Sequence, residues 1–110
     1  MRVVEHRDDA GLRYFEISSG WSRLLAFCAI RAIPAVVVTK PLRHFAFSNQ
    51  DVFCEFAVDG IAFEIEEPWG DSSVFEVAPV ERSPAASAVL EGNARSFQTY
   101  TPWPFSLWRR

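Results

Sequence analysis

Asp59-Gly60 is the feature that most restricts how this chain can fold. It lies between two segments in which apolar and polar residues alternate, and in that setting Asp-Gly favours a two-residue hairpin turn. The turn places Phe56 opposite Phe63 on the side of the sheet predicted to face the core. On the other side it places Glu55 opposite Glu64. One dipeptide therefore predicts an antiparallel strand pair together with its register.

The same register extends along both strands and into the segment before them. It pairs Val58 with Ile61, Cys54 with Ile65, Ala57 with Ala62, and Phe53 with Glu66. A four-residue turn over 48–51 places Phe45 opposite Cys54 and so turns the same face of an upstream strand inwards. Because the two turns agree on the inward face, they predict a β-meander.

Two segments have the spacing of helices. Residues 20–33 repeat apolar side chains at helical intervals, with Cys28 on the face of Leu24 and Leu25, and Pro34 ends the segment. Residues 84–97 follow Ser83, which is a suitable N-cap, and begin with proline at the first helical position. Alternating residues predict further strands at 2–6, 12–18, 35–39 and 73–78.

These elements predict an α+β fold with two layers. A mainly antiparallel sheet combines an N-terminal hairpin over about 2–18 with a meander over about 43–78, and the helices at about 20–33 and 84–97 cover one face. We expect a single domain over 1–99. Residues 100–110 form an aromatic tail with two prolines, which we expect to pack back on the domain.

Charge is distributed unevenly along the chain. Residues 44–81 contain nine acidic residues and no lysine or arginine, whereas the segments on either side carry a net positive charge. The formal net charge of −3 argues against a general nucleic-acid binder, which presents a basic surface. The uneven distribution favours either local neutralisation by the flanking elements or an acidic face for a basic partner.

The cysteines, the apolar stretch and the N-terminal residues together indicate a cellular compartment. Cys28 and Cys54 lie in apolar runs without the paired spacing of a disulfide scaffold, so both are interpreted as reduced core thiols. The apolar stretch over 24–38 is shorter than the roughly 20 residues of a membrane-spanning helix, and Met1–Asp9 is too polar for a signal peptide. These features predict a cytoplasmic protein without a membrane role.

The predicted register brings together residues that are distant in the sequence. His44, Glu55 and Glu64 fall in one row across three strands, on the face away from the core, with Glu66 and Glu76 near them. The row has three interpretations: a solvated face with His44 as counter-charge, a divalent-metal site, or an acid/base pair. Cys54 is predicted to point to the opposite face, which argues against a nucleophile activated by His44.

The chain has no glycine-rich phosphate loop and no paired Cys or His spacing for zinc. We therefore expect a small non-catalytic binding or regulatory module, without a cofactor, similar in charge and size to an inhibitor or immunity protein. Its predicted partner is a basic protein, bound through an acidic face of five residues: His44, Glu55, Glu64, Glu66 and Glu76.

Two alternatives belong to other functional classes. One is a metal-dependent enzyme centred on His44, Glu55 and Glu64. The other is a structural homodimer formed through the aromatic tail, with Trp103, Phe105 and Trp108 as the anchors.

Overall fold

The computed structural model describes residues 2–18, 23–40, 52–67 and 74–100, which form six strands and two helices. The strands are β1 (Arg2–Asp8), β2 (Gly11–Ser18), β3 (Val37–Lys40), β4 (Val52–Val58), β5 (Ile61–Glu66) and β6 (Val74–Pro79). The helices are α1 (Arg23–Arg31) and α2 (Pro84–Thr99). All strands pair antiparallel in one sheet, in the order β1-β2-β6-β5-β4-β3. The predicted α+β architecture with an antiparallel sheet and two helices is confirmed.

The β4–β5 hairpin has the register that its turn predicts. Asp59 and Gly60 both adopt positive φ, 54° and 76°, as a turn with two left-handed residues requires. Phe56 pairs with Phe63, and their ring centroids lie 5.5 Å apart. The predicted pairing of Phe53 with Glu66 is wrong, because an irregularity between Val52 and Cys54 shifts the register and sets Val52 opposite Glu66.

The outer neighbour of β4, in the part of the chain that the structure describes, is β3. The prediction of a strand from the β-branched run 35–39 is confirmed with a shift of two residues at its start. Val38 lies opposite Phe56, and Lys40 lies opposite Glu55. The predicted upstream strand with Phe45, and the turn over 48–51, fall outside the described residues.

Helix α2 begins where its sequence predicts. The Ser83 Oγ accepts a hydrogen bond from the Ala86 N–H at 3.0 Å, and Pro84 occupies the first turn. The helix buries one face against β2, and the Ser87 hydroxyl donates to the Leu12 carbonyl at 3.0 Å. The buried residues of this face are Ala86, Leu90, Asn93, Ala94 and Phe97.

Helix α1 presents a different face to the core from the predicted one. Its buried residues are Ala26, Ala29 and Ile30, whereas Leu24 is 56% exposed and Cys28 is exposed. The interpretation of Cys28 as a core thiol is therefore wrong. Apolar residues surround this short helix on nearly every side, so spacing alone does not select the face that packs on the sheet.

The core lies between the helices and one face of the sheet. Phe15, Phe56, Phe63 and Phe75 from four neighbouring strands have no exposed surface. Cys54 is buried among them, as predicted, and burial raises the pKa of its thiol to about 11. None of the helices in the described residues is long and apolar enough to span a membrane.

Candidate functional site

The sheet presents glutamates on the side away from the core. Residues alternate between the two sides of each strand, so the neighbours of buried core residues point the other way. Glu16 lies between buried Phe15 and Ile17, and Glu76 lies between buried Phe75 and Val77. Glu16, Glu55, Glu64, Glu66 and Glu76, all half-buried, form what we call the glutamate face.

The strand register joins these five carboxylates into one patch. Glu76 of β6 lies opposite Glu16 of β2 on one side and opposite Glu66 of β5 on the other. In the adjacent row, Glu64 of β5 lies opposite Glu55 of β4. Directly opposite residues have Cβ atoms about 5 Å apart, and residues two apart on one strand are separated by roughly 7 Å. Each of the five side chains therefore has at least one glutamate neighbour, and together they form a continuous patch across four strands.

Desolvation and neighbouring like charges both act on the carboxyl of Glu64, near the centre of the patch. The pKa of Glu64 is raised, first because the carboxylate is partly desolvated and then because Glu66 and Glu55 lie near it. The ammonium of Lys40 acts in the opposite direction and only partly offsets these effects. Glu64 therefore holds its negative charge at a cost in free energy, which a nearby cation would reduce.

A basic side chain lies at each of the two opposite ends of the patch. Lys40 Nζ is 3.3 Å from Glu55 Oε1 at the β3 edge, and His6 Nε2 contacts Glu16 Oε1 at the β1 edge. Among the described residues, Glu64 and Glu76 have no ion-pair partner within 4.0 Å. The ion pairs that the described residues show for the glutamate face therefore lie at its two ends.

Two arginines on the helix side of the sheet pair with carboxylates there. Arg7 Nη2 is 2.7 Å from both Glu5 Oε2 and Glu91 Oε1. Arg23 from α1 binds the buried carboxylate of Glu67, with Nε 3.2 Å from Oε1. These pairs satisfy carboxylates beneath or beside the helices, so they leave the charge of the glutamate face in place.

A third arginine, Arg82, pairs with a carboxylate at the end of the N-terminal hairpin. Arg82 Nη2 lies 2.8 Å from Asp8 Oδ2, and this hydrogen bond lowers the pKa of the Asp8 carboxyl. The Ala10 N–H also donates to Asp8, at 2.9 Å. Asp8 is thus neutralised by a nearby cation, in contrast to Glu64.

The structure brings together four of the predicted site residues, Glu55, Glu64, Glu66 and Glu76. Lys40 occupies the position opposite Glu55 that the sequence assigned to His44. His44 itself lies outside the described residues, as do Trp103, Phe105 and Trp108 of the tail.

Glu16 and His6 were missed by the sequence analysis. The alternation of Glu16 with Phe15 and Ile17 was a usable signal for an outward-facing carboxylate. The neighbour of that strand was not predictable, because β2 pairs with β6, a strand more than 50 residues away in the chain. His6 faces Tyr14 across the hairpin, and the two rings stack with centroids 4.4 Å apart.

Within the described ranges, no three His, Cys, Asp or Glu side chains are close enough together to hold a metal ion. The metal site proposed from the sequence includes His44, so it extends beyond those ranges. Comparisons with protein-family models, with curated proteins and with solved structures found no match for this chain. Its function must therefore be argued from the geometry and charge of its own surfaces.

Proposed function

We propose that this protein is a small non-catalytic binding or regulatory module whose glutamate face engages a basic protein partner. The observation that carries the proposal is the contiguous patch of five carboxylates, with Lys40 and His6 at its ends and no ion-pair partner described for Glu64 and Glu76. A protein surface bearing lysine or arginine side chains complements such a patch.

The electrostatics of Glu64 supports a role in binding. Partial burial raises its pKa first, and the neighbouring carboxylates of Glu66 and Glu55 raise it further, so some repulsion is present before any partner binds. Basic side chains placed over Glu64 and Glu76 would remove that repulsion and form charge-assisted hydrogen bonds. The free energy of binding would then include the relief of an unfavourable interaction in the unbound protein.

The flat, regular surface of a sheet also favours a macromolecular partner over a small substrate. Five glutamates spread over four strands match several basic groups at once, as in inhibitors of basic enzymes. We place the protein in the cytoplasm, where the exposed Cys28 thiol and the buried Cys54 thiol would stay reduced.

The proposal predicts that association with the partner depends on charge at the centre of the face. Glu64→Lys combined with Glu76→Lys should slow association, and raised salt should slow association of the wild type, because charges are screened over about 8 Å at physiological ionic strength. Immobilised wild type and variant would be used to capture proteins from the native host at low and high salt. Captured proteins would be identified by mass spectrometry, and association rates then measured for each.

A matched control distinguishes the effect of where the charge is changed from the effect of how much the net charge changes. Asp9→Lys combined with Glu81→Lys makes the same change in net charge at exposed positions outside the glutamate face. A basic protein retained by the wild type and the control, but released by the face variant and by salt, would support the proposal. Identical capture by all three proteins would refute it.

A further inference from the structure

A cleft of about 510 Å³ lies on the helix side of the molecule, between α2 and the tip of the β4–β5 hairpin. Ile33, Pro34 and Val58 form one wall, and Val89, Gly92 and Asn93 of α2 form the other. The volume is in the range of about 300–1,000 Å³ that is usual for small-molecule sites, and such sites are lined by apolar groups with a few polar ones.

Asn93 is a polar group in this cleft without a described partner. The residue is only 1% exposed, and its Nδ2 makes no hydrogen bond within the part of the chain that the structure describes. A buried amide that forms no hydrogen bond destabilises the fold, whereas an apolar residue of similar size would not. An acceptor bound in the cleft would satisfy the amide after a small change of side-chain rotamer, which is common on binding.

Gly92 gives a second indication that this wall serves a ligand. Glycine in a helix interior is less favourable than alanine, and it is usually kept where the packing is tight. Here a Cβ would meet no described atom beyond the adjoining residues and the helix's own backbone within 3.9 Å, at which distance lies Arg95 Nη2. Alanine would fit, so the packing does not require glycine, and its absent side chain leaves this wall of the cleft open.

Arg95 supplies the charge at the same wall. Its guanidinium lies beside Gly92, and the side chain is exposed with no acidic partner among the described residues. Asp59 lines the cleft at the hairpin tip and would repel a second anionic group. The cleft therefore combines an amide donor, one cation beside Gly92, one carboxylate at the hairpin tip, and apolar walls.

We propose that this cleft binds a small monocarboxylate with an apolar body. The carboxylate accepts a hydrogen bond from Asn93 Nδ2 and pairs with Arg95, while the apolar body packs against Ile33, Val58 and Val89. The site is independent of the glutamate face, which lies on the other side of the sheet, so either proposal can fail without the other.

The test is an NMR titration of the full chain with 4-phenylbutanoate, and with 4-phenylbutanamide as the neutral match. We expect saturable shifts of backbone amides around Gly92, Asn93 and Ile33, and an affinity about tenfold higher for the acid, because Arg95 adds a charged hydrogen bond. Arg95→Gln should remove that preference, whereas Arg2→Gln, on another part of the surface, should preserve it. No saturable shift with either probe, or equal affinities for both in the wild type, would overturn the proposal.

Asn93→Leu distinguishes a ligand-binding amide from a structural one. We expect the variant to lose binding of both probes about tenfold or more. Its free energy of unfolding, measured in urea, should be equal to or above that of the wild type, since the unpaired amide has been removed. A destabilised Asn93→Leu variant that still binds the probes would show that the amide stabilises the fold and does not contact the ligand.

Discussion

The two faces of the sheet are built from the same strands but differ in burial and in polarity. On the helix side, Phe15, Phe63 and Phe75 have no exposed surface, and they hold the two layers together. On the other side, the next residues along these strands are Glu16, Glu64 and Glu76. The buried side chains on one face therefore stabilise the fold, whereas those on the other face supply charge. Substitutions on the two faces should have different effects.

The largest expected effect comes from the core face. Phe63→Ala removes a fully buried ring that stacks on Phe56, and such a change costs about 3–5 kcal/mol. Because a domain of this size is stable by only about 5–15 kcal/mol, much of the protein should be unfolded at low urea concentration. Urea denaturation followed by circular dichroism measures the change.

Ala62→Thr is the matched control for this comparison, since Ala62 is exposed on the same strand and faces the other way. We expect its free energy of unfolding to stay within about 0.5 kcal/mol of the wild type. Equal losses for the two variants would contradict the division of the sheet into two faces.

A smaller loss of stability is expected from changing the Asp59-Gly60 turn, which sets the register and so determines which residues lie on each face. Gly60 has φ of 76°, and a β-branched residue there is strained by about 1–2 kcal/mol or more. Gly60→Val should therefore lower the melting temperature, whereas Gly60→Asn, which tolerates this conformation better, should lower it less. A one-residue slip would exchange the faces, so hydrogen exchange on β4 and β5 would show whether the register survives. Equal melting temperatures for Gly60→Val and the wild type would argue against the turn.

The smallest effect is expected on the glutamate face and depends on pH. The pKa of Glu64 is raised in the folded protein, so the folded state holds its proton at a higher pH than the unfolded state does. Stability should fall as pH rises through the interval between the two pKa values, and the loss should persist at neutral pH. Glu64→Gln should therefore be more stable than the wild type at neutral pH, by roughly 0.2–1 kcal/mol.

The gain from Glu64→Gln should disappear well below the ordinary pKa of glutamate, at about pH 3, where the wild-type carboxyl is protonated. Thermal unfolding at the two pH values measures it. Glu81→Gln, an exposed carboxyl away from the face, is the control and should change little at either pH. A Glu64→Gln variant that is less stable than the wild type at neutral pH would contradict repulsion within the face.

Much of the fold was predictable because its signals are local. The left-handed residues Asp59 and Gly60 set a register from Val58–Ile61 to Cys54–Ile65, and Ser83 with Pro84 marked the start of α2. The predicted pairing of Phe53 with Glu66 and the predicted buried face of α1 were wrong. A bulge has no fixed sequence signature, and a helix apolar on nearly all sides has no single predicted buried face.

The sequence by itself determined which glutamates leave the core, because alternation along a strand depends only on the residues of that strand. Tertiary structure decided which of them meet: β6 lies between β2 and β5, so Glu16 and Glu66 both adjoin Glu76, and β3 sets Lys40 against Glu55. It also buried the Asn93 amide nitrogen without a hydrogen-bond partner among the described residues. Pairing between distant strands depends on how the whole sheet packs beneath the helices, and no local pattern carries that information.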